Sequence, residues 1–319
     1  MRPHVEVIST KDYIWHNADL IGGEGVAKEQ RLSYDEEDGS CSLRVKFETD
    51  WSRPQGVHEA DTEWFVLEGS MTIGDQTIGK GGYLQAPKGA LTPAVTFAAG
   101  TIALHFREYG HNGFTATDKA LPTATHDITI HDTEAMEYQP VIVDGPAAGL
   151  YIKLLHRDPD TGFYTRLIKG DDGWPEHRVA HHPCYEEAYC LNGHMDYNFG
   201  TLDPGDYFFR PALIKHGHFE LSGGCEWLLR SDGELINWYT TEEWIKWGGK
   251  AENYGKEHDE HWEATHVFAA GEDAERAHAG YNHAFPSVVG HEQHPIPSTM
   301  PVRSKSIGPW MSRLVTGSS

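Results

Sequence analysis

An all-β chain made of two copies of one unit is what this sequence predicts, on three observations. The sequence repeats at a fixed offset of 124 residues: His58 is matched by His182, Glu63 by Glu187, Leu67 by Leu191, Gly69 by Gly193 and Met71 by Met195. The same register carries Gly81 onto Gly205, Tyr83 onto Tyr207, Pro87 onto Pro211 and Gly100 onto Gly224, with no insertion between 58 and 100. Such self-similarity marks a duplicated structural unit. The composition, with 34 Gly, 17 Pro and 11% aromatics, suits short strands joined by tight turns better than long helices. The length of 319 residues suffices for two domains with cores of their own.

The elements follow in order. Residues 1–20 read as an arm or edge strand leading into the first unit. Strand-like runs bounded by Gly, Pro or Asp then appear at Cys41 to Phe47, Thr62 to Leu67, Ser70 to Ile73, Gly82 to Ala86 and Thr101 to Phe106. Residues 110–140 are polar and turn-rich, a connector. From Gly149 the sequence reads as two strands joined by the turn Asp158-Pro159-Asp160-Thr161-Gly162, and its remaining strands copy the first unit. These boundaries give an N-terminal domain over 1–140, a C-terminal domain over 141–240 and an extension over 241–319. The extension opens with the best helix signal, TTEEWIKWGG at 240–249, capped by a Thr and stopped by Gly248-Gly249. Residues 250–300 are polar and irregular. Gly308 to Val315 echoes Gly162 to Ile168, either as a third copy of one edge strand or by coincidence over a short match.

The net charge of −22 makes nucleic acid and anionic membranes poor partners, since both would repel the chain. The beginning, MRPHVEVISTKDYIW, holds no apolar run of signal-peptide length, and no stretch is suited to spanning a membrane. Cys41, Cys184, Cys190 and Cys225 show no paired spacing and read as reduced thiols of a cytoplasmic protein.

The chemistry lies in the second copy, where His182, Glu187 and His216 form a set able to bind a metal. In the first copy Thr92 stands where His216 stands, so His58 and Glu63 are left as a degenerate pair, too few for a tight site. Histidines serving only as polar residues in a ligand pocket are the alternative. His258 and His261 have metal spacing on a helix but sit in an acidic, irregular stretch where solvation is the simpler reading.

The segments HHPCYEEAYCLNG at 181–193 and GDYFFRPALIKHG at 205–217 resemble the two sequence motifs of the cupin superfamily. The first motif has His, a spacer, Glu, then Gly about six residues later. The second has Gly-Asp, then Pro, with His five residues after it. The first copy repeats the pattern as His58-Glu59-Ala60-Asp61-Thr62-Glu63, Gly69 and Pro87-Lys88-Gly89. The nearest likeness is to two-barrel cupins of largely unassigned function, related to the cupin domain of zinc-binding anti-sigma factors.

The resemblance implies two tandem double-stranded β-helix (jelly-roll) barrels, with one divalent transition metal (Fe, Mn, Ni, Zn or Co) in the C-terminal barrel. The family pattern usually places another His two residues before His182, and that position is Ala180. His181 and His218 are therefore both candidates for a fourth ligand. Tyr189 and Arg210 are candidate catalytic residues, a hydroxyl able to donate and a guanidinium able to hold a substrate carboxylate. Ordinary packing or a surface salt bridge is the alternative for each, and strand phase does not decide which of Phe209 and Arg210 faces inward. The implied function is a metal-dependent enzyme acting on a small oxygenated organic substrate, leaning to dioxygenase-type C–C cleavage. A non-catalytic binding or sensing protein with a structural metal is the second class. A homo-oligomer remains open.

Overall fold

The computed structural model describes residues 2–141 and 148–233, with 235 and 237. Among the described residues there is no α-helix, only strands, turns and two 3-10 turns, Thr10–Asp12 and Thr133–Ala135. The expected helix at 240–249, His258, His261, the strand echo at 308–315 and the extension from 241 lie outside the described residues.

The first unit carries the anticipated strands at Cys41–Phe47, Asp61–Glu68, Met71–Ile73, Gly82–Ala86 and Ile102–Glu108. The segment 110–140 is more than a connector. It holds the strands Phe114–Ala116, Thr129–Asp132 and Gln139–Pro140. In the second unit the predicted turn joins Leu150–Arg157 to Tyr164–Gly170, and Asp158 Oδ1 accepts the backbone N–H groups of Asp160 and Thr161 at 2.8 Å each.

Each unit is built on one large antiparallel sheet. The first runs Thr129–Asp132, Gly82–Ala86, Asp61–Glu68, Ile102–Glu108, Cys41–Phe47, Ala27–Tyr34, His16–Asn17. The second runs Val5–Ser9, Asp206–Arg210, Glu186–Tyr197, His216–Ser231, Tyr164–Gly170, Leu150–Arg157, Gln139–Pro140. Position by position the orders correspond, so the repeat extends well before residue 58. There the offset is 123, from Ala27 to Leu150 and from His16 to Gln139. A one-residue difference between early and late strands hides this part of the duplication from a fixed-register comparison.

The correspondence exposes an exchange. Val5–Ser9 pairs with Asp206–Arg210 of the second sheet, and Thr129–Asp132, its counterpart, pairs with Gly82–Ala86 of the first. Each unit therefore lends its opening strand to the other's sheet. Of residues 1–20, expected to lead into the first unit, His16–Asn17 forms an edge of the first sheet, whereas Val5–Ser9 forms an edge of the second.

Both faces of each large sheet are covered. On the inner face of the first unit Phe47, Trp51, Trp64 and Phe97 stack, with Phe47 and Phe97 centroids 4.2 Å apart. In the second unit Tyr164, Ala188, Cys190, Phe208 and Leu229 do the same service. The outer faces meet in a shared layer that includes Leu32, Phe65, Tyr83 and Phe106 from the first unit and Tyr189 and Tyr207 from the second. Each fully buried side chain of this size contributes roughly 1.5–3 kcal/mol of hydrophobic stabilisation. The repeated glycine has a local cause. Gly193 lies at φ +82, and a Cβ there would sit 2.1 Å from the Gly224 carbonyl oxygen.

Candidate functional site

His182, Glu186 and His216 converge in the second barrel. His182 follows the strand Pro175–Ala180, Glu186 opens the strand Glu186–Tyr197, and His216 opens the strand His216–Ser231. The Nε2 atoms of the two histidines are 3.1 Å apart. Glu186 Oε2 is 3.1 Å from His216 Nε2 and 3.9 Å from His182 Nε2. Donors about 2.1 Å from one ion and at right angles would lie about 3.0 Å apart, so the set fits a divalent transition metal. Two histidines and one carboxylate on one side of an ion is the donor set that leaves open positions for other ligands. All three side chains are buried.

The tautomer of His216 is set by its surroundings. Its Nδ1–H donates to the Ile214 carbonyl at 3.0 Å, which leaves Nε2 facing His182 and Glu186, able to hold a proton toward the carboxylate or, once unprotonated, to ligate an ion. A tight turn holds the opposite side: the Leu213 N–H donates to the His182 carbonyl at 2.8 Å. In the first unit the Gly89 N–H makes the equivalent bond to His58 at 2.9 Å. Gly89 sits at φ +76 and Leu213 at φ +73, so the second unit keeps the turn after losing its glycine.

The acid of the site is Glu186, not Glu187. Successive residues of a strand face opposite sides, and Glu187 points into the layer between the units. There its Oε2 accepts from Tyr207 at 2.6 Å and from Ser42, and Arg230 pairs with its Oε1. Glu63 is bound the same way, by Tyr83 at 2.6 Å, by Thr165 at 2.6 Å and by Arg230 Nη2 at 2.9 Å. Ser42 and Thr165 are themselves counterparts, each reaching across to the other unit's glutamate. Glu63 and Glu187 are thus an inter-unit clasp. Burial would raise the Glu187 carboxyl, but Arg2 and Arg230 hold it below its ordinary value.

The remaining expected residues divide. Arg210 faces the site, with Nη1 2.9 Å from Glu186 Oε2. It is 1% exposed and already engaged, with Nε 2.9 Å and Nη2 2.8 Å from the two oxygens of Glu6 and its guanidinium 3.6 Å above the Phe208 ring. Glu6 lies on the exchanged strand Val5–Ser9, and Tyr197 and His4 bond it as well, the latter at 2.8 Å. Tyr189 does not reach the site, because it lies on the Glu187 face within the apolar layer. His181 is buried but falls outside the cluster. His218 is exposed, turned outward where the backbone takes φ +58.

Burial would raise the Glu186 carboxyl too, but His216, Arg210 and His182 hold it well below the usual carboxylate range. Burial likewise works against Glu6, and Arg210 and His4 overcome it and bring it down to about 2. The site is therefore charged in layers, from two imidazoles and a carboxylate to Arg210 and then Glu6.

In the first barrel the equivalents are His58, Thr62 and Thr92. Two positions of the His182–Glu186–His216 set are thus replaced rather than one, and among the described residues no group of potential metal-binding side chains gathers there. Glu6 and Glu186 were both missed from sequence. A signal for Glu186 existed: it is replaced, by Thr62, in the same unit that replaces His216, whereas Glu187 keeps its acidic counterpart.

A search of the curated proteins finds no match. Solved structures are similar over most of the chain. A candidate dioxygenase from Nostoc punctiforme PCC 73102 gives a TM-score of 0.65 at 18% identity, covering 71% of this chain and 82% of that one. Protein Ylba from E. coli, of the family DUF861, gives 0.50 at 15% identity over 72% and 91%. A candidate glyoxylate-induced protein from Pseudomonas aeruginosa gives 0.50 at 14% over 73% and 94%. At such identities the likeness shows a shared fold. No helix among the described residues is long and apolar enough to cross a membrane. Over residues 6–238 the chain belongs to the family described as Domain of unknown function, DUF4437.

Proposed function

We propose that this protein is a metal-dependent cupin enzyme acting on a small oxygenated organic substrate, with dioxygenase-type C–C cleavage as the favoured reaction. The observation that carries this is the buried His182–Glu186–His216 set, with His216 fixed through Ile214 so that Nε2 faces the other donors. A divalent transition ion held there supplies Lewis acidity and one-electron chemistry. Glu186 supplies the one negative charge, and its shared hydrogen bond with Arg210 tempers that charge and fixes the carboxylate plane. Arg210 is a positioning residue in this reading, because Glu6 occupies two of its donor edges. Burial of the donors keeps bulk water from competing for the ion.

The experiment is elemental analysis of the purified protein followed by oxygen uptake on a panel of small aromatic and dicarbonyl compounds. One metal per chain and substrate-dependent uptake that Glu186→Ala abolishes are expected. Protein without metal that also fails to take up iron, manganese or zinc on reconstitution would overturn the reading. The Arg210–Glu186 ion pair favours a second reading, a small-ligand-binding bicupin with a structural metal. Metal present with no turnover on any compound, and a lower melting temperature on chelation, would select it.

A further inference from the structure

We propose that the first barrel, having lost its metal ligands, is a binding site for a small carboxylate anion, with Arg53 as its anchor. Near the mouth of this barrel lies a narrow, partly open cleft lined by Arg53, His58, Thr62, His105, Arg107 and Phe114 among others. None of its lining residues is acidic. In a chain of net charge −22 that is a strong local reversal.

Arg53 is the clearest sign. It is 5% exposed, its Nη2 is buried without a hydrogen-bond partner, and it makes no ion pair among the described residues. A guanidinium is not neutralised by burial as a lysine or histidine is. With no facing acid, burial draws Arg53 down to about 9, which leaves it charged at neutral pH. A buried charge of this kind calls for an opposite one. Compare Arg210 in the second barrel, satisfied by Glu6 and Glu186 together.

The groups around it reinforce the same sign. Burial, then Arg53, His105 and Arg107, push His58 well below its ordinary value. His105 donates Nδ1–H to the Glu63 carbonyl at 3.0 Å and stacks on Trp64, which fixes the ring. The Glu63 carboxylate points away, into the layer between the units. Arg107 spends its Nε on the Gly39 carbonyl at 3.0 Å. The Phe114 ring, 4.8 Å from the Arg53 guanidinium carbon, gives an apolar wall. A planar guanidinium fork beside an apolar wall matches a carboxylate on a small hydrocarbon better than a spherical halide.

The test is calorimetric titration of the full chain with sodium acetate and sodium formate at constant ionic strength, with sodium chloride as the competing probe. We expect saturable binding of one acetate or formate per chain, weakened at least tenfold in Arg53→Gln. Thr62→Glu should abolish it, because Thr62 is the counterpart of Glu186 and would place a carboxylate inside the cleft. That variant should fold at least as well as the parent, since it pairs a buried cation. His216→Ala should bind acetate as the parent does, which separates this site from the metal centre. Absence of saturable binding in the parent, equal binding by Thr62→Glu, or chloride matching acetate would overturn the proposal.

Discussion

Replacing Glu6 by Gln tests the layered charge of the second barrel. Glu6 is fully buried, and its two oxygens meet Arg210 Nε at 2.9 Å and Nη2 at 2.8 Å. Its carboxyl is held at about 2 in place of 4.5. At 1.36 kcal/mol per tenfold, the folded state favours the charged form by about 3.4 kcal/mol at pH 7. Breaking a buried ion pair from one side costs about 3–5 kcal/mol, so two independent routes give a loss of roughly 3 kcal/mol. The assay is urea unfolding of parent and variant, both with chelator so that metal binding does not enter. A carboxyl held below its unfolded value stabilises above about pH 5 and loses that contribution as pH falls toward 2. The penalty of the substitution should therefore shrink to about 1.4 kcal/mol by pH 3. A loss under about 1 kcal/mol at pH 7, or a penalty equal at pH 3 and pH 7, would refute the account of Arg210 as held by Glu6.

Glu186→Gln should lose metal and should also lower the urea midpoint of the chelated protein at pH 7, because Arg210 is left facing a neutral partner. Glu187→Gln should keep metal and lose about 3–5 kcal/mol of stability, because Arg230 and Arg2 are left facing a neutral partner; the reverse pattern in elemental analysis would return the ligand role to Glu187. His216→Ala should empty the site while His218→Ala leaves the metal content at one per chain, and two metals per chain would contradict the loss of ligands at Thr62 and Thr92. Dialysis against a chelator should lower the melting temperature, by an amount corresponding to about 2.7 kcal/mol if the ion is present at a hundredfold excess over its dissociation constant; an unchanged melting curve would count against a bound ion.

The duplication, the strand positions and the two histidines that converge were legible because they rest on local signals: glycines at forced turns, prolines at strand ends and a fixed register. The facing of the strands was not. Alternation between apolar and polar residues tells inside from outside only when one face meets water. Here the run Glu186 to Cys190 is buried throughout, with Ala188 and Cys190 in the barrel and Tyr189 in the layer between units. Two adjacent glutamates in such a run look interchangeable. The shared glutamate of the repeat drew attention as a ligand, although its persistence in a unit without His216 reflects the clasp between units. The role of residues 2–9 was hidden for a different reason. Strand pairing across some 200 residues leaves no mark in local sequence, and the one-residue shift in offset separated the opening strands from the later repeat.

The exchange of opening strands also orders events during synthesis. Val5–Ser9 emerges first yet finds its partner, Asp206–Arg210, only when almost the whole described chain has been made. Until then Glu6 has no Arg210, and Arg210 has Glu186 as its one acidic partner among the described residues. Neither half can be cut free as an intact barrel, since each would leave with an unpaired edge and without the strand that completes it. The His182–Glu186–His216 cluster, although its three side chains fall within 182–216, is in this sense finished by the strand Val5–Ser9. A fusion placed just ahead of Val5–Ser9 is attached beside the layer that supports that cluster.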